Sequence, residues 1–273
     1  MPVVSLRHFL ADHPDAVLIE ITAAQGSTPR EAGAFMLVAM DGFLGTIGGG
    51  QLEYRTMENA RKLIKGDGGV EAMDIPLGPE IGQCCGGRAQ LRFRKVTDTI
   101  IEELQARCRA AEETFAKVYI FGGGHVGRAL ALAMAPLPLS LTLIETREEK
   151  LVGLPDRIIT RLTAIPEALV ETIPPAAALI IVTHDHALDF LIAREALARD
   201  DLAYTGMIGS LTKRAKFSSW LAHEGDGDKN WLSRLTLPIG GGAVKNKRPE
   251  VIAAMTVAEV LTALENYRSE RGT

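Results

Sequence analysis

Cysteine is scarce: the 273-residue chain has three, and two of them, Cys84 and Cys85, are adjacent. Such a set cannot build the disulfide framework of a small secreted domain and fits a compartment where thiols stay reduced. Long apolar runs are missing too. The most apolar stretch, Ala129 to Ile144, is broken by Pro136 and Pro138 and falls short of the roughly 20 residues a spanning helix needs, so it reads as a buried helix, a turn and a strand. Positive charge is not in excess: the formal net charge is −4 and the isoelectric point is near 5.9. No Lys/Arg run supplies the footprint that a phosphate backbone requires, which argues against nucleic acid as a partner. Met1 to Leu10 carries Arg7 and His8 where a signal peptide needs an apolar core. The expectation is a cytoplasmic protein with no membrane association.

What is present is ordinary globular composition, 47% hydrophobic and 23% charged, in a chain long enough for two domains. From Val17 to Val96, short apolar runs alternate with glycine-rich turns: Val17 to Thr22, Ala34 to Met40, Phe43 to Ile47, Glu71 to Ile75 and Ala89 to Phe93. These predict strands. Between them Leu52 to Lys65 has helical spacing, with Met57, Ala60 and Ile64 on one face. Residues 1–97 therefore read as an α+β domain and residues 98–116 as a helical linker. Over 117–273 apolar strands alternate with helical patterns: Val118 to Phe121, Leu141 to Ile144, Arg157 to Thr160, Ala178 to Val182, Ala203 to Met207 and Leu235 to Leu237. That alternation predicts an α/β, Rossmann-like doubly wound parallel sheet covered on both faces. Glu224 to Asn230 reads as an acidic surface loop.

The second domain opens on a strand, a G-x-G-x-x-G turn and a helix: Val118-Tyr-Ile-Phe-Gly122-Gly-Gly124-His125-Val-Gly127. Gly122 permits the tight turn, Gly124 lets a phosphate approach the backbone at the helix N-terminus, and Gly127 lets helix and strand pack closely. Glu145, ending the next strand, is placed to accept hydrogen bonds from ribose hydroxyls; Arg147 is placed for an adenine ring or an added phosphate, or is a solvated charge. The alternative is that these glycines form only a compact turn. Two further groups fall after strands on the same edge: His184, Asp185 and His186, and Ser210 ahead of a helix carrying Lys213 and Arg214. Two imidazoles around a carboxylate suit a metal, a proton transfer or a phosphate, and equally suit capping.

In the first domain the informative stretch is Gly82-Gln83-Cys84-Cys85-Gly86-Gly87-Arg88. Flanking glycines leave backbone N–H groups free to form an anion nest, and Arg88 adds positive charge; both favour a thiolate. C-x-x-C spacing and a second cysteine pair are lacking, which disfavours structural zinc and thioredoxin-like chemistry. Gly48 to Gly50, ahead of the helix, is a second place where an anion meets a helix N-terminus.

On these residues the chain resembles the XdhC/CoxI family. The likeness runs through Gly26-Ser-Thr-Pro-Arg30, Gly45-Thr-Ile-Gly-Gly-Gly50 with Leu52-Glu53, Gly82 to Gly87, Phe121 to Gly127, Thr183-His-Asp-His-Ala-Leu-Asp189 and Ile208-Gly-Ser210 with Lys213-Arg214. It departs from the family pattern near the C-terminus, at Pro238 to Val244 and Arg248 to Ala253. The resemblance implies a non-catalytic xanthine dehydrogenase accessory protein, a chaperone that binds molybdenum cofactor (molybdopterin form) as cargo. In that role it protects the cofactor while a cysteine desulfurase sulfurates it, and inserts it into xanthine dehydrogenase. The partners so implied are xanthine dehydrogenase, the desulfurase and molybdenum cofactor biosynthesis proteins, with a homodimer expected. Cys84, Cys85, Gln83 and Arg88 are the expected contacts to the molybdenum centre. Gly122, Gly124, His125, Gly127 and Glu145 are expected to hold a pterin phosphate or nucleotide, and His184, Asp185, His186 and Ser210 to face them across a crevice. No resident metal site is expected. The competing expectation is an NAD-dependent oxidoreductase using the same glycine turn, with His184 or His186 moving a proton.

Overall fold

A computed structural model describes residues 3–78, 86–224, 230–242 and 244–271. The chain divides into two compact units, Met1–Ala111 and Glu112–Thr273.

The first unit is built on a five-stranded antiparallel sheet. Its strands are β1 (Val17–Gln25), β2 (Phe35–Val38), β3 (Phe43–Gly45), β4 (Ala72–Leu77) and β5 (Gly87–Lys95), in the order β3-β2-β1-β5-β4. Alternation along β1 sorts its side chains between two layers. Val17, Ile19 and Ile21 pack with Leu52 and Ala60 of α2 (Gly50–Lys65). Leu18 faces α1 (Val3–Asp12) and α3 (Asp98–Glu113), meeting Leu6, Leu10, Ile100, Leu104 and Cys108. On that second face Glu20 holds two cations, Arg107 at 2.6 Å and Arg94 at 3.3 Å. The segment expected to be a linker thus contributes one wall of the first unit's core: Leu104 is fully buried and Cys108 is a buried small apolar group.

The second unit carries a six-stranded sheet of β6 (Ala116–Phe121), β7 (Leu139–Glu145), β8 (Ile159–Leu162), β9 (Ala178–Ile181), β10 (Tyr204–Met207) and β11 (Leu235–Thr236). All pairings are parallel and the order is β11-β10-β9-β6-β7-β8. This is the Rossmann order, with its reversal at β6 and β9. On one face α4 (His125–Met134) and α8 (Pro249–Arg271) pack Leu130, Met134, Val260 and Leu264 against Val118, Ile120, Leu141 and Ile180. On the other, α5 (His186–Ala198) and α6 (Leu211–Glu224) pack Ile192, Leu197, Phe217 and Leu221 against Phe121, Leu179, Ile181 and Met207. Burial on both faces explains why β6 and β9 read as continuous apolar runs. A short helix, α7 (Trp231–Arg234), precedes β11.

The expected strand Arg157 to Thr160 is displaced to Ile159–Leu162. Arg157 instead turns back to donate to the carbonyls of Leu137 and Leu139. β8 is an exposed edge strand along its whole length, so burial supplies no pattern to mark its start.

Candidate functional site

The site begins with three glycines, two of which the backbone requires to be glycine. Gly122 has φ +112°, and a β-carbon there would lie 2.5 Å from the carbonyl oxygen of Val182. At Gly127 a β-carbon would lie 1.8 Å from the oxygen of Gly122; only hydrogen fits. Gly124, the residue before α4, has open space at its β-carbon position and no side chain capping the helix. The first N–H groups of α4 therefore point at a space that a ligand can enter.

That space is a cavity of about 390 Å³. Gly123, Gly124 and His125 form its floor, and His184 approaches from the loop after β9. Arg128, Arg147, Glu149 and Lys150 complete the lining. Arg128 donates to the carbonyls of Val152 (2.9 Å) and Gly153 (2.6 Å), neutral partners that orient the guanidinium and leave its charge uncompensated. Among the described residues Lys150 pairs with no carboxylate. A second cavity of about 500 Å³ adjoins the first, sharing His125 and Arg128; its wall is the apolar outer face of α4, at Ala129, Leu132 and Ala133, opposite Pro249 and Glu250.

Glu145 differs from the sequence expectation. It was placed to receive a ribose; its carboxylate is 2% exposed and already accepts six hydrogen bonds from the protein. Oε2 takes the Gly123 N–H at 2.8 Å and Arg147 at 3.0 Å; Oε1 takes the N–H and hydroxyl of Thr146 and the N–H and Nε of Arg147. Burial pushes its pKa up, and the bonds from Arg147, Gly123 and Thr146 outweigh burial and hold it at about 2. The carboxylate fastens the glycine turn and aims Arg147.

The His-Asp-His segment resolves into separate duties. Asp185 is the N-cap of α5, its Oδ1 accepting the Ala187 N–H at 2.8 Å. His186 is exposed, its Nδ1 4.0 Å from Asp189. Only His184 lines the cavity. Among the described residues no cluster of three His, Cys, Asp or Glu side chains is placed to hold a metal. Ser210 Oγ accepts the Lys213 N–H at the start of α6 (3.3 Å) and does not line the cavity.

Beneath these loops lies a buried ion pair to which the sequence assigned no role. Lys213 Nζ donates to Asp189 Oδ2 and to the carbonyl of Ile208, and Asp189 Oδ1 accepts the hydroxyl (2.7 Å) and N–H (3.1 Å) of Thr183. Thr183 packs on Gly122. The pair ties the ends of β9 and β10 to the wall of the glycine turn.

In the first unit, Gln83, Cys84 and Cys85 lie outside the described residues. Arg88, in β5, is paired with Asp74 of β4 at 2.5 Å and holds that carboxyl below its usual range; its charge is therefore already shared. Gly87 and Gly48 both pack on the turn that holds Ser27 and Pro29. A β-carbon on Gly87 would meet the oxygen of Ser27 at 2.4 Å, and one on Gly48 would meet the ring of Pro29 at 2.4 Å. Glu53 of α2 accepts the Thr46 hydroxyl and the Ile47 N–H, fixing the loop before Gly48.

Residues 118–260 match the family model described as the XdhC Rossmann domain, and residues 9–73 match that of the XdhC and CoxI family. The chain belongs to the XdhC/CoxI family. A curated relative, the Escherichia coli (strain K12) protein named Uncharacterized protein YqeB, is 24% identical over 261 residues, covering 91% of this chain. The chain spans 43% of that relative's length. A crystal structure described as a xanthine dehydrogenase from Bacillus halodurans is 18% identical and superposes with a TM-score of 0.68 over 97% of this chain and 96% of that one; this likeness concerns the fold. Within this XdhC/CoxI chain, sequence reasoning missed Arg128, Glu149, Lys150 and the Asp189–Lys213 pair. A signal existed for the first three: they follow the third glycine and the end of β7, where an open α/β sheet places its ligand.

Proposed function

We propose that the protein is an accessory carrier of molybdenum cofactor that receives the cofactor as cargo, shields it during sulfuration and delivers it to xanthine dehydrogenase. The observation that carries this reading is the cavity at the glycine turn of a family member. It joins uncapped helix N–H groups to Arg128 and Lys150, cations without carboxylate partners, beside an apolar groove. The cargo's chemistry fits: its phosphate suits the turn, and a flat pterin suits the face of Ala129 and Leu132. Cys84 and Cys85 remain the proposed contacts to molybdenum, a soft-ligand role for a thiolate. In this reading the protein is no enzyme, works in the cytoplasm as a homodimer, and meets a cysteine desulfurase and cofactor biosynthesis proteins as partners. Among the described residues no helix is long and apolar enough to cross a membrane.

The test is anaerobic retention of molybdenum cofactor by the pure protein, read as pterin fluorescence after oxidation. Near-stoichiometric retention that falls in Cys84→Ala or Cys85→Ala is expected; no retention by the unaltered protein would sink the carrier. One observation favours a second reading: the strand order and glycine spacing also suit NAD. That reading assigns the ribose to Glu145, and both oxygens of Glu145 already accept hydrogen bonds within the protein, which supports the carrier over it.

A further inference from the structure

We propose that the cavity at the glycine turn recognises a phosphate ester and does not read a ribose diol. The inference rests on the reading of this cavity as the cargo site and specifies the chemistry of what enters it. A nucleotide-binding Rossmann turn discriminates ribose by presenting an open carboxylate at the end of the second strand. Here that position is Glu145, and it is closed. Six donors from Gly123, Thr146 and Arg147 occupy its two oxygens, and the side chain is almost wholly buried. A diol would have to displace donors already in place: the Gly123 N–H that shapes the turn, the Thr146 groups, or the guanidinium that lines the cavity. A ribose hydroxyl gains nothing over the neutral N–H and O–H donors it would replace, and it replaces the Arg147 guanidinium with a neutral donor at a loss, so the closed carboxylate offers a diol no net bond.

An anionic oxygen meets the opposite situation. The lining carries three cations, Arg128, Arg147 and Lys150, against one carboxylate, Glu149, with Glu145 behind Arg147. The charge of Arg128 is unspent because its partners are carbonyls. His125 and His184, also in the lining, carry ring nitrogens that can donate to an anion. Glu145 is therefore a positioning residue, which holds the turn open and Arg147 in place, while Arg128, Arg147 and Lys150 make the contacts to phosphate.

Calorimetric titration of the full chain with adenosine, AMP, its 2′-deoxy counterpart and inorganic pyrophosphate tests this. AMP and deoxy-AMP should bind within about twofold of each other, pyrophosphate should compete with both, and adenosine should bind at least about tenfold more weakly. Lys150→Ala and Arg128→Ala should each weaken AMP and deoxy-AMP equally. In Glu145→Gln the ribose-to-deoxyribose ratio should stay near one even if both affinities fall, an outcome that loss of fold alone does not give. The proposal is overturned if AMP binds at least about tenfold tighter than deoxy-AMP and that preference collapses in Glu145→Gln, because the carboxylate then reads the diol. It is equally overturned if adenosine binds as well as AMP, or if neither AMP nor pyrophosphate binds. Displacement of AMP by a pterin monophosphate at lower concentration than AMP itself assigns the phosphate to a pterin; the reverse order assigns it to a nucleotide. Failed cofactor retention alongside diol-blind AMP binding removes the carrier and leaves this inference. Cofactor retention without phosphate binding removes this inference alone.

Discussion

At the scale of single residues, the glycine turn divides into what spacing reveals and what it conceals. The jobs of Gly122 and Gly127 follow from G-x-G-x-x-G after a strand, because a close approach of two backbones admits no side chain. Gly127→Ala is accordingly expected to cost about 3 kcal/mol or more in chemical denaturation, since the added methyl meets the fixed carbonyl of Gly122. Glu145 was legible only as a carboxylate at a strand end. Which donors fill its oxygens depends on how Thr146 and Arg147 fold back, and no residue pattern encodes that. Its titration gives a second prediction. The folded pKa lies near 2, below the ordinary 4.5, so between those values the unfolded chain binds more protons than the folded one. The contribution is complete above about pH 4.5 and disappears as pH falls through about 2. Denaturation midpoints of the native protein should drop across that window, and those of Glu145→Gln should drop less.

At the scale of elements, α2 and most strands were legible from the spacing of their apolar residues, α1 was not read as a helix, and β8 was misplaced because an exposed edge strand carries no burial pattern. The Asp189–Lys213 pair shows a different limit. Asp189 lies in the first turn of α5 and Lys213 in that of α6; they meet because β9 and β10 run parallel in register. Both residues were visible in motifs, but their meeting is a product of the sheet. Lys213→Met leaves a buried carboxylate whose remaining donors come from Thr183, and a loss of about 3–5 kcal/mol is expected in urea denaturation. Asp189→Asn combined with Lys213→Met should cost less than the two single losses summed, by about 1–3 kcal/mol, if the two side chains act as a pair.

At the scale of the whole molecule, the α/β class and the change of character near Val118 were readable from the switch between turn-rich alternation and strand-helix alternation. The division itself falls at Ala111, because α3 turns Ile100, Leu104 and Cys108 into the first unit's core. Its charged outer face made it look like a connector, and a helix that buries only one stripe reads as solvent-exposed in composition alone. The order of the parallel sheet has a last consequence, for biosynthesis. β6 is made first and takes a central place between β7 and β9. A nascent chain can pair β6 with β7 early, but the far wall of the cavity at the glycine turn is absent until β9 and His184 have emerged. Its brace is absent until Lys213 has followed. The protein therefore makes its floor before its wall, and a chain stalled between them would present an open glycine turn with nothing to close it.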